Sequence, residues 1–529
     1  MGGTAANVRP RAGCFFFGIL CQLGWYHELF VPFCQKQEGI FVFLSKDFPQ
    51  EIHTILLLEV GKMSISLAIL ILYVAVLFAI SWYAKKRSEG TSENFALAGR
   101  KLSAPLIGVT IIGLAVGGAS TIGVSEQAFK VGLSAGWYTI AWGIGAIVMG
   151  AFLAKRYRAA QITTISELIS RYHDSKAVVL GVVCQIVIQL VIISLQYIAG
   201  GSILHAIMPE VFSFHAGMLV SAIVFISITF IGGMWSASLA NVLNIILIYG
   251  GITVATIIQL TNIGGMGNLL AKLPANVPWF DPIAGVGVAG ITTWIVVLVT
   301  VNLSLQSIIQ ISLGAKTADV ARKGFIWGGI FMIPVGFMAA LLGIVAKATY
   351  PEAQAALALP QVIVGLQPIL AGVTLAALWA ADVSTACNLL LSAGTMFSND
   401  IYKKFINPNC TDAKQLSVMR LCIIISGAVT VFMAMSVSGI LGTIMIGLSL
   451  TAAFSIIVIM ALFFPKYTCK AAGFNTLLVG LIVLIVWQLV PSVRFLPHVI
   501  YAEWLFCIIT YGVTYILVPD AVVVEEPAA

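Results

Sequence analysis

The sequence predicts an all-α membrane protein with about thirteen transmembrane helices. Two observations carry this prediction. Charged residues make up 9% of the 529 residues and apolar residues 60%, whereas soluble domains average about 25% and 45–50%. Apolar runs of about 20 residues recur along most of the chain, and each is long enough to cross a bilayer.

The predicted spans all follow Met63 and form one polytopic domain, residues 63–517, with a cytoplasmic tail at 518–529. They lie near residues 64–83, 105–128, 135–154, 179–208, 216–234, 237–262, 286–312, 325–348, 369–396, 416–435, 438–463, 472–490 and 497–517. No soluble catalytic domain is predicted beside them.

The distribution of basic residues predicts the orientation. Alternate loops hold nineteen Lys and Arg residues, whereas the other loops hold Lys130, Lys272, Lys347 and Arg494. The positive-inside rule makes the richer side cytoplasmic. The first span is then expected to begin outside and the C-terminus to lie inside, in the cell (plasma) membrane. The net charge of +7 is therefore a topology signal and gives no support for nucleic-acid binding.

The first 62 residues differ in character from the rest. They hold three of the nine Cys residues and an apolar run interrupted by His27 and Glu28. Met63 is followed at once by a clean apolar span that ends in Lys85-Lys86-Arg87. We expect residues 1–62 to be an over-extended or disordered N-terminus, with a real extra helix or anchor as the alternative. A chain starting at Met63 is then expected to insert into the membrane and to function like the full chain.

One predicted helix carries a ladder of small and polar residues on a single face. The residues of this face follow helical i, i+3, i+4 spacing and are Ala381, Ser384, Thr385, Asn388, Ser392 and Thr395. Tight packing between helices would explain this face, with the hydroxyls bonded back to the backbone. A cation site would also explain it, because hard cations prefer oxygen ligands. The spacing alone leaves both interpretations open.

A second segment combines clustered glycine with hydroxyl groups inside one span. Gly113, Gly117, Gly118 and Gly123 surround the pair Ser120-Thr121. Glycine weakens a helix by about 1 kcal/mol relative to alanine, so this pattern is typical of a broken helix that lines a cavity. A close-packed face of small residues is the alternative.

A third polar cluster lies five spans further along the chain, as an inverted five-plus-five repeat requires. It consists of Asn302, Ser304, Gln306, Ser307 and Gln310.

From about residue 64 to 490 the chain resembles the sodium/solute symporter family, which includes sodium-coupled sugar, proline, iodide and choline transporters. Five short motifs carry the resemblance, in the expected order and topology. They lie within Glu93–Arg100, Ser120–Ala135, Thr164–Tyr172, Ile231–Trp235 and Ala380–Tyr402.

The resemblance implies a LeuT-type five-plus-five inverted repeat with one extra N-terminal helix. It also implies a sodium site between the first and eighth core helices. Its ligands would be the carbonyl oxygens of Gly113, Val116 and Ala381 and the hydroxyls of Ser384 and Thr385. The resemblance therefore favours the cation interpretation of the polar face.

The implied solute site lies beside the sodium, near the bilayer midplane. Its candidate contacts are Ala115, Gly118, Ser120, Thr121, Gln196, Asn302 and Gln306. No Arg or Lys is evident among them, which favours a neutral or zwitterionic solute or a small monocarboxylate.

Departures from the family pattern affect the coupling ion. Ala240-Asn241 and Asn244 stand where Thr-Asp and Gln are frequent, so a second sodium is doubtful. Asp382 stands in the cation-site helix where an apolar residue is usual. An intramembrane carboxyl is costly and is by default a functional candidate. Asp382 could ligate a cation or carry a proton; a structural role, bonded to a neighbouring helix, is the alternative.

The predicted function is sodium-coupled symport, in which a small organic solute is imported by alternating access. The alternatives are a membrane sensor that kept the fold and a proton-coupled member of the same fold. An enzyme is not expected, because no acidic cluster suited to metal-assisted chemistry lies at a membrane face. Beyond sodium no cofactor is predicted, and the expected partners are the solute, sodium and the lipid bilayer.

Overall fold

The structure, a computed structural model, describes residues 50–436 and 440–518, and no strand forms in that part of the chain. The chain divides into two compact units, residues 1–64 and 65–529. Residues 1–49 and 519–529 lie outside the described residues, so the predictions for the N-terminal extension and the tail stay predictions. The backbone from Gln50 onward is helical.

Twenty α-helices, numbered here in chain order, make up the described part. The first ten are α1 Gln50–Ser88, α2 Ser92–Leu97, α3 Ala104–Ala115, α4 Val124–Val131, α5 Trp137–Val148, α6 Ala154–Ala159, α7 Ile165–Tyr172, α8 Ser175–Ile207, α9 Phe214–Asn262 and α10 Gly265–Ala271. The others are α11 Gly287–Ser304, α12 Gln306–Leu313, α13 Ala318–Thr349, α14 Ala355–Val364, α15 Pro368–Met396, α16 Asp412–Ala434, α17 Ile440–Ser449, α18 Thr451–Phe463, α19 Lys470–Leu489 and α20 Val499–Leu517.

The described residues contain twelve candidate membrane spans, and the division of α9 at Gly233 raises this number to thirteen. Ten uninterrupted helical stretches are long and apolar enough to cross a bilayer. Two further spans are bent helix pairs, α3 with α4 and α17 with α18, with angles of 59° and 40°. The remaining crossing comes from α9, which is two spans.

Gly233 divides α9. A continuous helix of its 49 residues would be roughly 74 Å long, more than twice the ~30 Å hydrocarbon thickness. Gly233 has φ +53° and ψ −143°, a conformation that residues other than glycine rarely adopt. A Cβ there would also collide with the Phe95 backbone carbonyl. The predicted turn around Gly233 is therefore where the helix breaks.

Another helix break divides the span that runs from α11 to α12. Ser304 ends α11, and Leu305 takes an extended conformation with φ −73° and ψ 126° before Gln306 begins α12. The break lies in the segment five spans after the α3–α4 break, as the predicted inverted repeat requires.

Side-chain caps begin several helices at the end of the bundle that carries the basic loops, called the basic end below. Thr164, Asp174 and Thr317 each accept a hydrogen bond from the backbone N–H three residues further along. Such caps satisfy N–H groups that a helix start leaves unpaired. They fix where the chain turns back into the next span.

Burial distinguishes the central helices from the peripheral ones. In the span that contains α15, 83% of the residues in its apolar stretch are buried inside the protein, against 28% in the first span and in α16. The predicted polar face of α15 therefore lies inside the protein, where its oxygens contact other helices. Asp382, Ser384, Thr385 and Asn388 are all at most 3% exposed.

Candidate cation and solute site

The α3–α4 break opens the backbone opposite the polar face of α15. Helix α3 ends at Ala115, and Val116 departs from helical geometry with φ −91° and ψ 66°. A π-helical turn, Ala119–Gly123, then leads into α4. A broken span leaves carbonyl groups without partners in their own helix, and these can face a ligand.

Two glycines allow other helices to approach this break closely. A Cβ on Gly117 would collide with Thr385 Oγ1 and lie 2.6 Å from Gln196 Oε1. A Cβ on Gly118 would lie 2.6 Å from Asp382 Oδ1 and 2.5 Å from the Ala199 Cβ. The Gly118 N–H donates to Gln196 Oε1 at 2.8 Å. The glycines thus bring α8 and α15 against the break.

Substitution of Gly118 tests this close approach. We expect Gly118→Ala to lose most transport activity and to cost about 1–3 kcal/mol in stability, because overpacking forces neighbours apart. Gly250→Ala is the matched control, since nothing lies within 4 Å of a Cβ there. Uptake and thermal unfolding measure both effects. Normal uptake by Gly118→Ala would show that the break can accommodate a methyl group at this position.

Four of the five predicted sodium ligands lie together. Ser384 Oγ lies 2.6 Å from the Gly113 carbonyl oxygen and 2.8 Å from that of Ala381. Thr385 Oγ1 lies 3.1 Å from the Gly113 oxygen and 2.9 Å from that of Leu114. Two hydroxyls and three carbonyls form a neutral oxygen cluster, the kind of donor set that a hard cation accepts.

The fifth predicted ligand, the Val116 carbonyl, makes no hydrogen bond to these hydroxyls among the described contacts. Leu114, which was not predicted, contributes its carbonyl instead. The backbone still leaves helical geometry at Val116, next to the cluster in sequence. The role of Val116 stays a prediction.

Asp382 lies beside this oxygen cluster. Its side chain is fully buried, and neither carboxyl oxygen has a hydrogen-bond partner among the described residues. None of the ion pairs in the described part of the chain includes it. A buried carboxyl without a partner is a costly arrangement, and the role of Asp382 as cation ligand, proton carrier or structural group stays a prediction.

An amide network lies behind the cluster. The Tyr73 hydroxyl on α1 donates to Asn244 Oδ1 at 2.8 Å. Asn244 Nδ2 lies 3.4 Å from Asn241 Oδ1 and 3.4 Å from the Ala380 carbonyl oxygen. A Cβ on Gly113 would collide with the Asn241 amide. The positions where the family often has Asp and Gln therefore hold a neutral network here, joined by Tyr73.

Five candidate solute contacts, Ala115, Gly118, Ser120, Thr121 and Gln196, are near the break. Gln196 and Gly118 bond each other as described above, and Ser120 Oγ donates to the Ala115 carbonyl at 2.6 Å. Thr121 Oγ1 donates to the Gly117 carbonyl at 3.1 Å. The polar groups of this set are thus grouped around one backbone opening.

The remaining two candidates lie on the second broken span. Asn302 Nδ2 donates to the Leu298 carbonyl at 2.8 Å, while its Oδ1 has no partner among the described residues. Gln306 Oε1 accepts from the Ile165 N–H at 2.7 Å, which attaches α12 to the start of α7 at the basic end. The structure does not bring Gln306 to the α3–α4 break, and its solute role stays a prediction.

Polar groups that the sequence analysis did not single out lie on α5. Tyr138, Thr139 and Trp142 are buried, and their Oη, Oγ1 and Nε1 atoms have no partner among the described residues. The ring of Tyr138 meets that of Trp294 edge to face, with centroids 6.0 Å apart. The i, i+1, i+4 spacing of a hydroxyl and two aromatic residues is the signal that could have identified this face.

Comparison with known proteins identifies the family. A model of the sodium:solute symporter family matches residues 95–480, which is more than half of the chain. The chain belongs to this family. The membership makes it a sodium-coupled solute symporter, as the sequence motifs predict, and gives no support to the membrane-sensor alternative.

Two relatives illustrate how far the similarity extends. The sodium/glucose cotransporter of Vibrio parahaemolyticus is 24% identical over 423 residues, which cover 72% of this chain and 77% of the relative. The sodium/proline symporter of Staphylococcus aureus is 22% identical over 453 residues, which cover 81% and 86%. The family's sequence pattern therefore extends over most of this chain.

Solved structures confirm the fold. A Na+-coupled sialic acid symporter in a substrate-bound outward-open state superimposes with a TM-score of 0.71 at 17% identity, covering 86% of this chain and 98% of that protein. Mhp1, a nucleobase-cation-symport-1 family transporter in a closed conformation, gives 0.58 at 14% identity, with 81% and 96% covered. The LeuT-type architecture predicted from the five motifs is confirmed.

Proposed function

We propose that this symporter binds sodium between α3 and α15 and uses it to drive import of a small neutral or zwitterionic organic solute or a small monocarboxylate. The observation that carries the proposal is the contact of the Ser384 and Thr385 hydroxyls with the Gly113 carbonyl at the helix break. Val116 completes the proposed ligand set. The relatives in the comparison transport glucose and proline with sodium, which supports the solute class.

The proposed orientation places the basic end in the cytoplasm, in the plasma membrane. The nineteen basic residues in alternate loops support it. With thirteen crossings, the first span then begins outside and the C-terminus lies inside. Solute would enter from the end that carries α10 and α14 and leave at the basic end.

The proposed solute site is the polar surface around the α3–α4 break. Gly118, Ser120, Thr121 and Gln196 surround this opening, and backbone groups there can meet a polar or charged solute group. Asn302 on α11, whose Oδ1 has no partner among the described residues, extends this proposed surface. We assign no enzymatic step to these residues, because all of them serve binding by hydrogen bonds.

Uptake by the purified protein tests the proposal. In proteoliposomes we expect accumulation of at least one solute from a panel of sugars, amino acids and small carboxylates when sodium is high outside. An equal potassium gradient at the same membrane potential is the control and should give no accumulation. Equal uptake under both gradients for every transported solute would reject sodium coupling, and a dependence on the proton gradient instead would favour the proton-coupled alternative.

A further inference from the structure

The last helix makes polar contacts with two broken spans of the transporter. Helix α20 begins at residue 499, beyond the family match that ends at residue 480. Tyr501 Oη lies 3.1 Å from Thr293 Oγ1 on α11, and Trp504 Nε1 donates to Thr300 Oγ1 at 3.1 Å. These contacts attach α20 to the first arm of the α11–α12 span.

Glu503, like Asp382, is a fully buried carboxyl of the membrane domain. It lies on α20 and is 0% exposed. Its Oε1 lies 3.1 Å from Ser449 Oγ, and its Oε2 has no partner among the described residues. A carboxyl inside a membrane protein is expensive and usually marks a functional position, yet neither the sodium cluster nor the proposed solute surface includes Glu503.

Ser449 is the residue at which the α17–α18 span bends. It ends α17, and α18 begins at Thr451 after the single residue Leu450. Helix α18 is attached to α11, because Ser304 Oγ lies 3.0 Å from the Thr451 carbonyl oxygen and Ser455 Oγ lies 2.9 Å from that of Thr300. A movement of α17 relative to α18 would therefore turn about Leu450, beside Glu503.

Helix α17 also forms one wall of a cavity at the end opposite the basic loops. The cavity has a volume of about 530 Å³, and Leu441 and Met445 of α17 line it together with Gln127, Trp294 and His498. His498 caps α20 by accepting from the Ile500 N–H at 3.2 Å. Burial lowers the pKa of His498 to about 4, so its imidazole is neutral near pH 7. The cavity is thus lined by residues of α11 and α17, two helices with which α20 makes polar contacts.

We propose that Glu503 is a positioning residue for access from the outer side. Its contact with Ser449 holds the inner end of α17 in place, and α17 in turn covers the buried part of the cavity. Loss of this contact would let α17 swing about Leu450 and expose that part. The inference rests on the proposed transport function and orientation, and it makes the last helix part of the access mechanism.

Cysteine labelling tests the inference without requiring uptake. Single cysteines are placed at Met445, which is 5% exposed, or at Gly442, which is exposed and has nothing within 4 Å of its Cβ. Both positions line the cavity. Each is combined with Glu503→Leu, Ser449→Ala or Glu503→Gln, and a membrane-impermeant thiol reagent is added to intact cells. The protein without an added cysteine gives the background.

We expect the labelling rate of Met445→Cys to rise about fivefold or more in Glu503→Leu and in Ser449→Ala, the change that loss of one buried hydrogen bond can produce. Glu503→Gln should keep the wild-type rate, because an amide can still bond Ser449. The labelling rate of Gly442→Cys should be the same in the wild type and in the three variants Glu503→Leu, Ser449→Ala and Glu503→Gln. Thr510→Ala, on the exposed side of α20, is the matched control and should change neither rate.

Two results would overturn the inference. One is an unchanged Met445→Cys rate in both Glu503→Leu and Ser449→Ala. The other is an equal rise at both cysteines, which would mean general loosening of the protein and not a movement of α17. Failure of the proposed function is separate, because it would appear as absent sodium-driven uptake while the labelling pattern stayed as expected.

Discussion

We expect the double variant Ser384→Ala/Thr385→Ala to require far more sodium for uptake than the wild type. Each substitution removes one hydroxyl oxygen from the cluster that includes the Gly113 and Ala381 carbonyls. Loss of a buried polar partner costs about 1–3 kcal/mol, which corresponds to roughly 5- to 150-fold in affinity for each ligand. The carbonyl oxygens remain, so weak sodium activation should persist at high concentration.

The measurement is the initial rate of uptake against external sodium concentration in proteoliposomes. Ser202→Ala/Thr229→Ala is the matched control, because both hydroxyls are buried and bond carbonyls of their own helices, those of Ala199 and Phe225. We expect its half-activating sodium concentration to stay close to that of the wild type. An unchanged sodium curve in a well-expressed Ser384→Ala/Thr385→Ala protein would mean that sodium binds elsewhere.

Much of the fold could be predicted from the sequence because a membrane restricts it strongly. A bilayer requires apolar spans whose backbone groups are bonded internally, so the thirteen apolar runs correspond to the crossings of the described chain. The break in the span with Gly117 and Gly118 was also predictable, since clustered glycine weakens a helix where a cavity needs free backbone groups. The break at Gly233 follows from a conformation that glycine favours.

Part of the site depended on tertiary contacts that no local pattern encodes. Tyr73 joins the amide network from α1, a helix outside the repeated core, and its position there depends on how α1 packs on α9 and α15. Gln306 follows helical spacing with its polar neighbours, but the position of the start of α7 at Ile165 determines its partner.

Glu503 was missed for a different reason. The surrounding run, residues 499–517, is apolar enough to read as an ordinary terminal span, and the resemblance to the family ends before it. Its partner Ser449 lies two spans earlier in the sequence, so periodicity within one helix could not connect the two residues. A carboxyl inside an apolar span was nevertheless a usable signal.

The second large effect is expected at Asp382. Its carboxyl is fully buried beside Gly118, one turn from Thr385 on the face that meets the helix break. We propose that the negative charge of this carboxyl strengthens cation binding in the neighbouring cluster, whose other oxygens are neutral. A charge a few ångströms from a cation in a low-dielectric interior contributes far more than it would in water. Asp382→Asn keeps the size of the side chain and removes the charge.

We therefore expect Asp382→Asn to fold normally and to raise the half-activating sodium concentration by about tenfold or more, a change of roughly 1.4 kcal/mol. Uptake against sodium concentration, measured at several pH values, separates the possible roles. A higher sodium requirement at every pH supports the charge. A normal sodium curve with uptake that no longer depends on pH would assign proton transfer to Asp382 instead, because an amide cannot titrate. Wild-type sodium and pH curves would leave Asp382 with a role in packing alone.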